Sequence, residues 1–250
     1  MIGDPLTFPV YLLLLVRLLT AHVAGDFIFQ QKHWIESRTE HKWRSGYLYL
    51  NALVVAVLSW LLSGYLSNWM IPLLIFVLHA ATDILKSSLK DSIATFIADQ
   101  ALHLLATVFI AWLYLRNGIP EFSCCGLLFS NNLLWIYLFS YLLVLWPMSI
   151  IIAKLTERWQ NEANPEGGLK DAGKYIGMLE RILILTFMAI NQFSAVGFLV
   201  AAKSILRFGD IRDSSNRKGA EYILIGTMIS FSAAIFTGIL MKWLINTTQL

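Results

Sequence analysis

The chain has 250 residues, of which 57% are apolar in type and 14% charged, with a formal net charge of +3. Soluble proteins carry about 25% charged residues. So little polar surface cannot cover a water-soluble fold, which excludes a soluble enzyme, a disordered chain and a nucleic-acid binder. The expected class is an all-α polytopic membrane protein with the lipid bilayer as its first partner.

Residues 1–7 hold Asp4 and no Lys or Arg, unlike the positive leader of a cleaved signal. The first apolar stretch is therefore expected to stay as a span. A hydrocarbon core about 30 Å thick needs about 20 apolar helical residues. Such runs fall at 8–27, 47–66, 69–85, 93–115, 127–152 and 220–245. The short turn at 67–69 makes the second and third spans antiparallel. Cys124 and Cys125 lie between spans four and five, and adjacent cysteines suit no structural disulfide. No role is assigned to them. The whole chain reads as one membrane domain, with a four-helix half at 8–115 and a second half at 127–250.

Sidedness follows from the basic residues, which favour the cytoplasmic face. Three loops hold ten of them: Lys32, Arg38, Lys42 and Arg44; Lys86 and Lys90; Lys154, Arg158, Lys170 and Lys174. The other side has Arg116 alone. The N-terminus is thus expected outside a bacterial inner membrane, with those loops inside. The stretch 175–208 is harder to place, being apolar but holding Glu180, Arg181, Asn191, Gln192 and Lys203. As one crossing it would put Lys203, Arg207, Arg212, Arg217 and Lys218 outside, against the rule. A re-entrant hairpin turning near Asn191-Gln192, with limbs of about 15 residues or 22 Å, keeps them inside. The alternative is a tilted 28-residue helix, giving seven spans.

Three of the five histidines share a pattern. His22 and Asp26, His79 and Asp83, and Asp99 and His103 each lie four residues apart, which stacks both side chains on one helix face. Each pair falls at the cytoplasmic end of its span, and the reversed order in span four suits an antiparallel neighbour. Three clustered carboxylates repel one another, and buried acids are costly in a bilayer. A divalent cation relieves both problems. Mixed N/O ligands suit Zn, Mn, Fe or Ni, and six ligands suffice for one or two ions. Asp26, Asp83 and Asp99 also serve as candidate catalytic groups. The bland alternative is a buried His–Asp network that only packs helices. His33 and His41, in the polar loop, are expected to be solvated.

Further residues fit an anionic substrate. Gln30 continues the stripe of His22 and Asp26 at +8, and Lys86 and Lys90 follow His79 at +7 and +11. Singly, both lysines also fit headgroup anchoring. Glu180-Arg181 is either a mutually neutralised pair or an arginine aimed at a phosphate. Lys203 and Arg207 reach the same level in the hairpin reading, and Glu221 is an alternative partner for Arg181 or a further ligand. Arg17, in mid-span, points about 140° away from the His22 stripe and needs a partner on another helix.

The motifs His22-x3-Asp26-Phe27-x2-Gln30, His79-x3-Asp83-x2-Lys86 and Asp99-Gln100-x2-His103 resemble the bacterial membrane family called domain of unknown function 3307. So does a second block, Gly173-x3-Gly177-x2-Glu180-Arg181, Ala202-Lys203-Ser204-x2-Arg207-Phe208 and Glu221-Tyr222-x3-Gly226-Thr227. The His-x3-Asp helices are also similar to inner-membrane metal-dependent hydrolases. The first resemblance implies that Glu180, Arg181, Lys203, Arg207 and Glu221 join the His/Asp set in one site. The expected function is a membrane metal-dependent hydrolase acting on a lipid-linked phosphate or similar amphiphile, with a metal-bound water as nucleophile. A transporter or metal-ion permease, and a non-catalytic scaffold, are the rival readings.

Overall fold

The computed structural model describes residues 7–116, 131–163, 171–212 and 217–248. Cys124, Cys125 and Lys170 lie outside these residues, as do the side chains of Arg116, Arg207, Arg212 and Arg217. The described chain is helical: α1 Thr7–Ala24, α2 Lys32–His41, α3 Gly46–Ser63, α4 Met70–Ser87, α5 Ile93–Arg116, α6 Asn132–Leu145, α7 Pro147–Ala163, α8 Ala172–Ala189, α9 Phe193–Arg212 and α10 Arg217–Thr248. Among the described residues, six stretches are long and apolar enough to cross a bilayer: Phe8–Phe29, Gly46–Ser63, Met70–Ser87, Ile93–Tyr114, Asn132–Glu162 and Lys218–Thr248. The chain is an all-α polytopic membrane protein, and the six expected spans are all represented.

Local chemistry sets the breaks. Gly64, at φ 82°, closes α3 in the left-handed region and starts the turn into α4. Pro147, which has no N–H to donate, opens α7 where α6 ends. The 25–46 loop is less simple than its polarity suggests. α1 passes into a π-helical turn, Gly25–Phe29, and α2 follows as a surface helix.

The chain divides into two compact units, one formed by Met1–Leu142 with Leu244–Leu250 and the other by Leu143–Trp243. In the first, α1 packs on α3 and α5, α3 on α4, and α4 on α5, closing a four-helix ring. Leu14, Leu18, Val55, Ile71, Ile75 and Ile110 fill its centre. Outward, Leu53, Leu61, Leu73, Val77, Leu105 and Phe109 are exposed, which suits a lipid surround and not water. Gly25 lets α1 approach α3 closely: a Cβ there would lie 2.4 Å from Val55 Cγ2. Arg17 finds its partners within this unit, bonding the Ser63 carbonyl at 3.5 Å and lying 5.7 Å from the Trp135 ring.

In the second unit the stretch 175–208 does not form one helix. α8 ends at Ala189, Asn191 takes a left-handed φ of 62° and α9 starts at Phe193. Asn tolerates that conformation better than most residues. Lys203 Nζ meets Glu180 Oε2 at 2.5 Å, and these residues stand symmetrically about the turn, as a helical hairpin requires. Ile184 and Met188 of α8, Val196 of α9, and Phe231 and Ala234 of α10 form its core. The single 28-residue helix is thereby excluded. The limbs are 18 and 20 residues long, about 27 and 30 Å, and exceed the expected length. Asn191 Oδ1 accepts from Lys242 on α10.

Candidate metal centre

The cytoplasm-bound ends expected for α1, α4 and α5 converge inside the first ring. The His22 and His79 ring centroids are 5.5 Å apart, those of His22 and His103 4.8 Å, and those of His79 and His103 4.2 Å. All three rings are buried, as are Asp83 and Asp99. The pairs within each helix face the same way but are loose: 3.9 Å for His22–Asp26, 3.8 Å for His79–Asp83 and 3.4 Å for His103–Asp99. The tighter contacts cross between helices. His79 Nε2 lies 3.0 Å from Asp26 Oδ1, which also accepts from Asn51 Nδ2 of α3 at 2.9 Å.

Two carboxylates are held by cations of the chain itself. Arg38 of α2 meets Asp83 Oδ1 at 2.9 Å, and Lys86 meets Asp99 Oδ2 at 2.5 Å. Gln100 donates to that same Asp99 oxygen at 3.1 Å. Each of these acids thus spends one oxygen and keeps the other. Asp83 Oδ2, Asp99 Oδ1, His22 Nε2 and His79 Nδ1 are buried atoms without a hydrogen-bond partner. Ligand atoms of His22, His79 and His103 lie within 4.8 Å of one another, and so do those of Asp83, Asp99 and His103. Such orphaned atoms are costly unless something accepts them.

The donor set fits a transition metal. Imidazoles that bind a metal through one nitrogen commonly give the other to a carboxylate. His79 has that arrangement, with Nε2 on Asp26 and Nδ1 left over. With the three acids ionised and the imidazoles neutral, as a metal requires, Arg38 and Lys86 leave one negative charge unmatched, which suits a bound cation. Toward mid-span the three rings border a cavity of about 20 Å³ walled by Leu18, Val55, Ser59, Ile75, Leu78, Ala106, Thr107 and Ile110. That is room for about one water molecule.

The other expected residues fare differently. Gln30 leaves the helix, with ψ 117° after the π turn, so its +8 register with His22 is lost. Lys90 is exposed. Glu180 pairs with Lys203 and not with Arg181. Arg181 is buried and donates to the Val144 carbonyl at 2.6 Å, Ser230 Oγ at 2.9 Å and Ser149 Oγ at 2.5 Å. Glu221 is exposed, and the Arg207 side chain lies outside the described residues. His33 and His41 are exposed as expected. Arg38, Asn51 and Thr82 are additions that the motif reading missed; the Thr82 hydroxyl lies 3.1 Å from His103 Nδ1.

Residues 14–124 match the family model described as Protein of unknown function (DUF3307). Over this segment, less than half of its length, the chain is similar to the DUF3307 family. All six His/Asp residues lie in the DUF3307 segment, together with Arg38, Asn51, Thr82 and Lys86. The second block, 173–227, lies beyond it. No curated protein and no solved structure matches the chain, so the expected similarity to metal-dependent hydrolases gains no support there.

Proposed function

We propose that this chain is a membrane-embedded metal-dependent hydrolase of a bacterial inner membrane, with its N-terminus outside and its metal centre near the cytoplasmic rim. One observation carries the reading: buried nitrogen and oxygen atoms of His22, His79, Asp83 and Asp99 lack a hydrogen-bond partner, and these residues belong to two groups of ligand atoms that share His103. One or two ions of Zn, Mn, Fe or Ni suit this mixed set. A bound divalent ion lowers the pKa of a coordinated water and polarises a phosphoryl oxygen. His79 would be held in register by Asp26, itself fixed by Asn51. Asp83 and Asp99 offer a ligand oxygen and a proton acceptor. The ring's exposed apolar outer face, Leu53, Leu73, Val77 and Leu105 among it, favours an amphiphilic substrate such as a lipid-linked phosphate. In the second unit, Arg181 can take a phosphate only by exchanging its serine and carbonyl partners.

The test is hydrolysis of a polyprenyl diphosphate by detergent-purified protein. Activity should vanish with a chelator and return with one of these metals; chelator-insensitive turnover would reject the reading. A metal-ion permease is the second reading, favoured by the broken α8–α9 hairpin, because transporters build sites from interrupted helices. Metal flux into liposomes without substrate turnover would select it. A scaffold explains the ion pairs but leaves the four orphaned atoms without purpose.

A further inference from the structure

Two cations sit where a metal would need the carboxylates. Arg38 reaches Asp83 from α2, and Lys86 reaches Asp99 from the end of α4. The ligand atoms of Asp83, Asp99 and His103 lie within 4.8 Å of one another, so both cations approach one edge of the centre. The Lys86 side chain is 24% exposed and that of Arg38 11%, against 2% for either acid. The acids face inward while their partners lead outward.

A divalent ion bound by Asp83 and Asp99 would repel the guanidinium and the ammonium that now touch the same carboxylates. It would also turn the local balance, with neutral imidazoles, from one excess negative charge to one excess positive charge. Both side chains are long and have several rotatable bonds, so release from the carboxylates needs side-chain rotation only. A guanidinium fork and an ammonium that each reach a carboxylate of this cluster are both suited to a phosphoryl oxyanion.

We propose that Arg38 and Lys86 are the anion-binding edge of the centre: they compete with the metal for Asp83 and Asp99 and, once displaced, hold a phosphate-type oxyanion. This rests on the metal-centre reading above and names the residues that recognise its substrate. Metal and anion then bind cooperatively, because each restores the charge that the other upsets. Arg38 therefore has two opposing effects. It weakens metal binding when no anion is present and strengthens it when one is.

The experiment measures Mn²⁺ affinity of the full chain in detergent, with and without methylphosphonate, and in a parallel arm with phosphatidic acid in the micelles. Either anion should tighten Mn²⁺ binding by about 5- to 150-fold, the usual range of coupling between two sites. The arm that couples tells whether the oxyanion is free or a lipid headgroup. Arg38→Gln combined with Lys86→Gln should bind Mn²⁺ more tightly than wild type without anion and show no coupling. Arg38→Lys with Lys86→Arg should keep it. Coupling in neither arm, coupling that survives the glutamine pair, or weaker Mn²⁺ binding by that pair overturns the proposal. If the glutamine pair does not fold, Lys86→Gln alone must weaken the coupling severalfold, and undiminished coupling overturns it. Wild-type protein that binds no Mn²⁺ or Zn²⁺ fails at the metal centre itself, which distinguishes that failure from this one.

Discussion

The two units bury charge in opposite ways. In the second, Arg181 is enclosed by a carbonyl and two serine hydroxyls, and Glu180 is matched by Lys203. In the first, the acids are only half matched, and four nitrogen and oxygen atoms of His22, His79, Asp83 and Asp99 have no hydrogen-bond partner. Burying a polar group without a partner costs about 1–3 kcal/mol. On the metal-centre reading, a cluster of such atoms on three separate helices is a place for a ligand, while a satisfied arginine is one for packing.

Replacing a member of each group sharpens this contrast most. His79→Ala should lower metal affinity by more than about 100-fold, since even outer-shell partners are worth 10–100-fold. Metal analysis after dialysis reads the effect. Arg181→Met should leave metal content unchanged and lower stability by about 1–3 kcal/mol, the cost of the stranded Val144 carbonyl. Loss of metal from Arg181→Met would erase the distinction between the units.

A smaller effect is expected where α1 meets α3. Gly25→Ala places a Cβ against Val55 Cγ2 and should cost about 1–3 kcal/mol. It should also loosen the Asp26–Asn51 bond and weaken metal binding, with Val55→Ala restoring both. In the hairpin, Asn191→Val should cost about 1–2 kcal/mol for its left-handed φ, while Asn191→Gly should be close to neutral. Thermal unfolding in detergent checks each, and a neutral Gly25→Ala would contradict the tight α1–α3 approach.

The spans and the His/Asp stripes were legible because each rests on local spacing: a run of about 20 apolar residues, or two side chains one helical turn apart. Asp26, Asp83 and Asp99 lie 3.4–3.9 Å from the histidines of their own pairs, while the closest contact, Asp26 with His79, crosses between helices. Contacts between distant segments were not legible. Arg38 looked like one more cytoplasmic charge, since α2 lies in a polar stretch with no apolar periodicity. Asn51 left a signal, a single amide in an apolar span, that the cost of burial would have flagged. Adjacent Glu180 and Arg181 allow a neutralised pair or an arginine aimed at a phosphate, but neighbouring residues on a helix do not face each other. The hairpin brings Lys203 to Glu180 instead. Gln30 was extrapolated along a helix that winds into a π turn and stops.

X-ray absorption on metal-loaded, detergent-purified protein tests the account most directly. A stoichiometric ion in a nitrogen and oxygen shell, with the outer scattering of several imidazoles that diminishes in His22→Ala or His103→Ala, is the predicted result. Protein that retains no stoichiometric metal after supplementation, or an ion whose spectrum is the same in both variants, would contradict it.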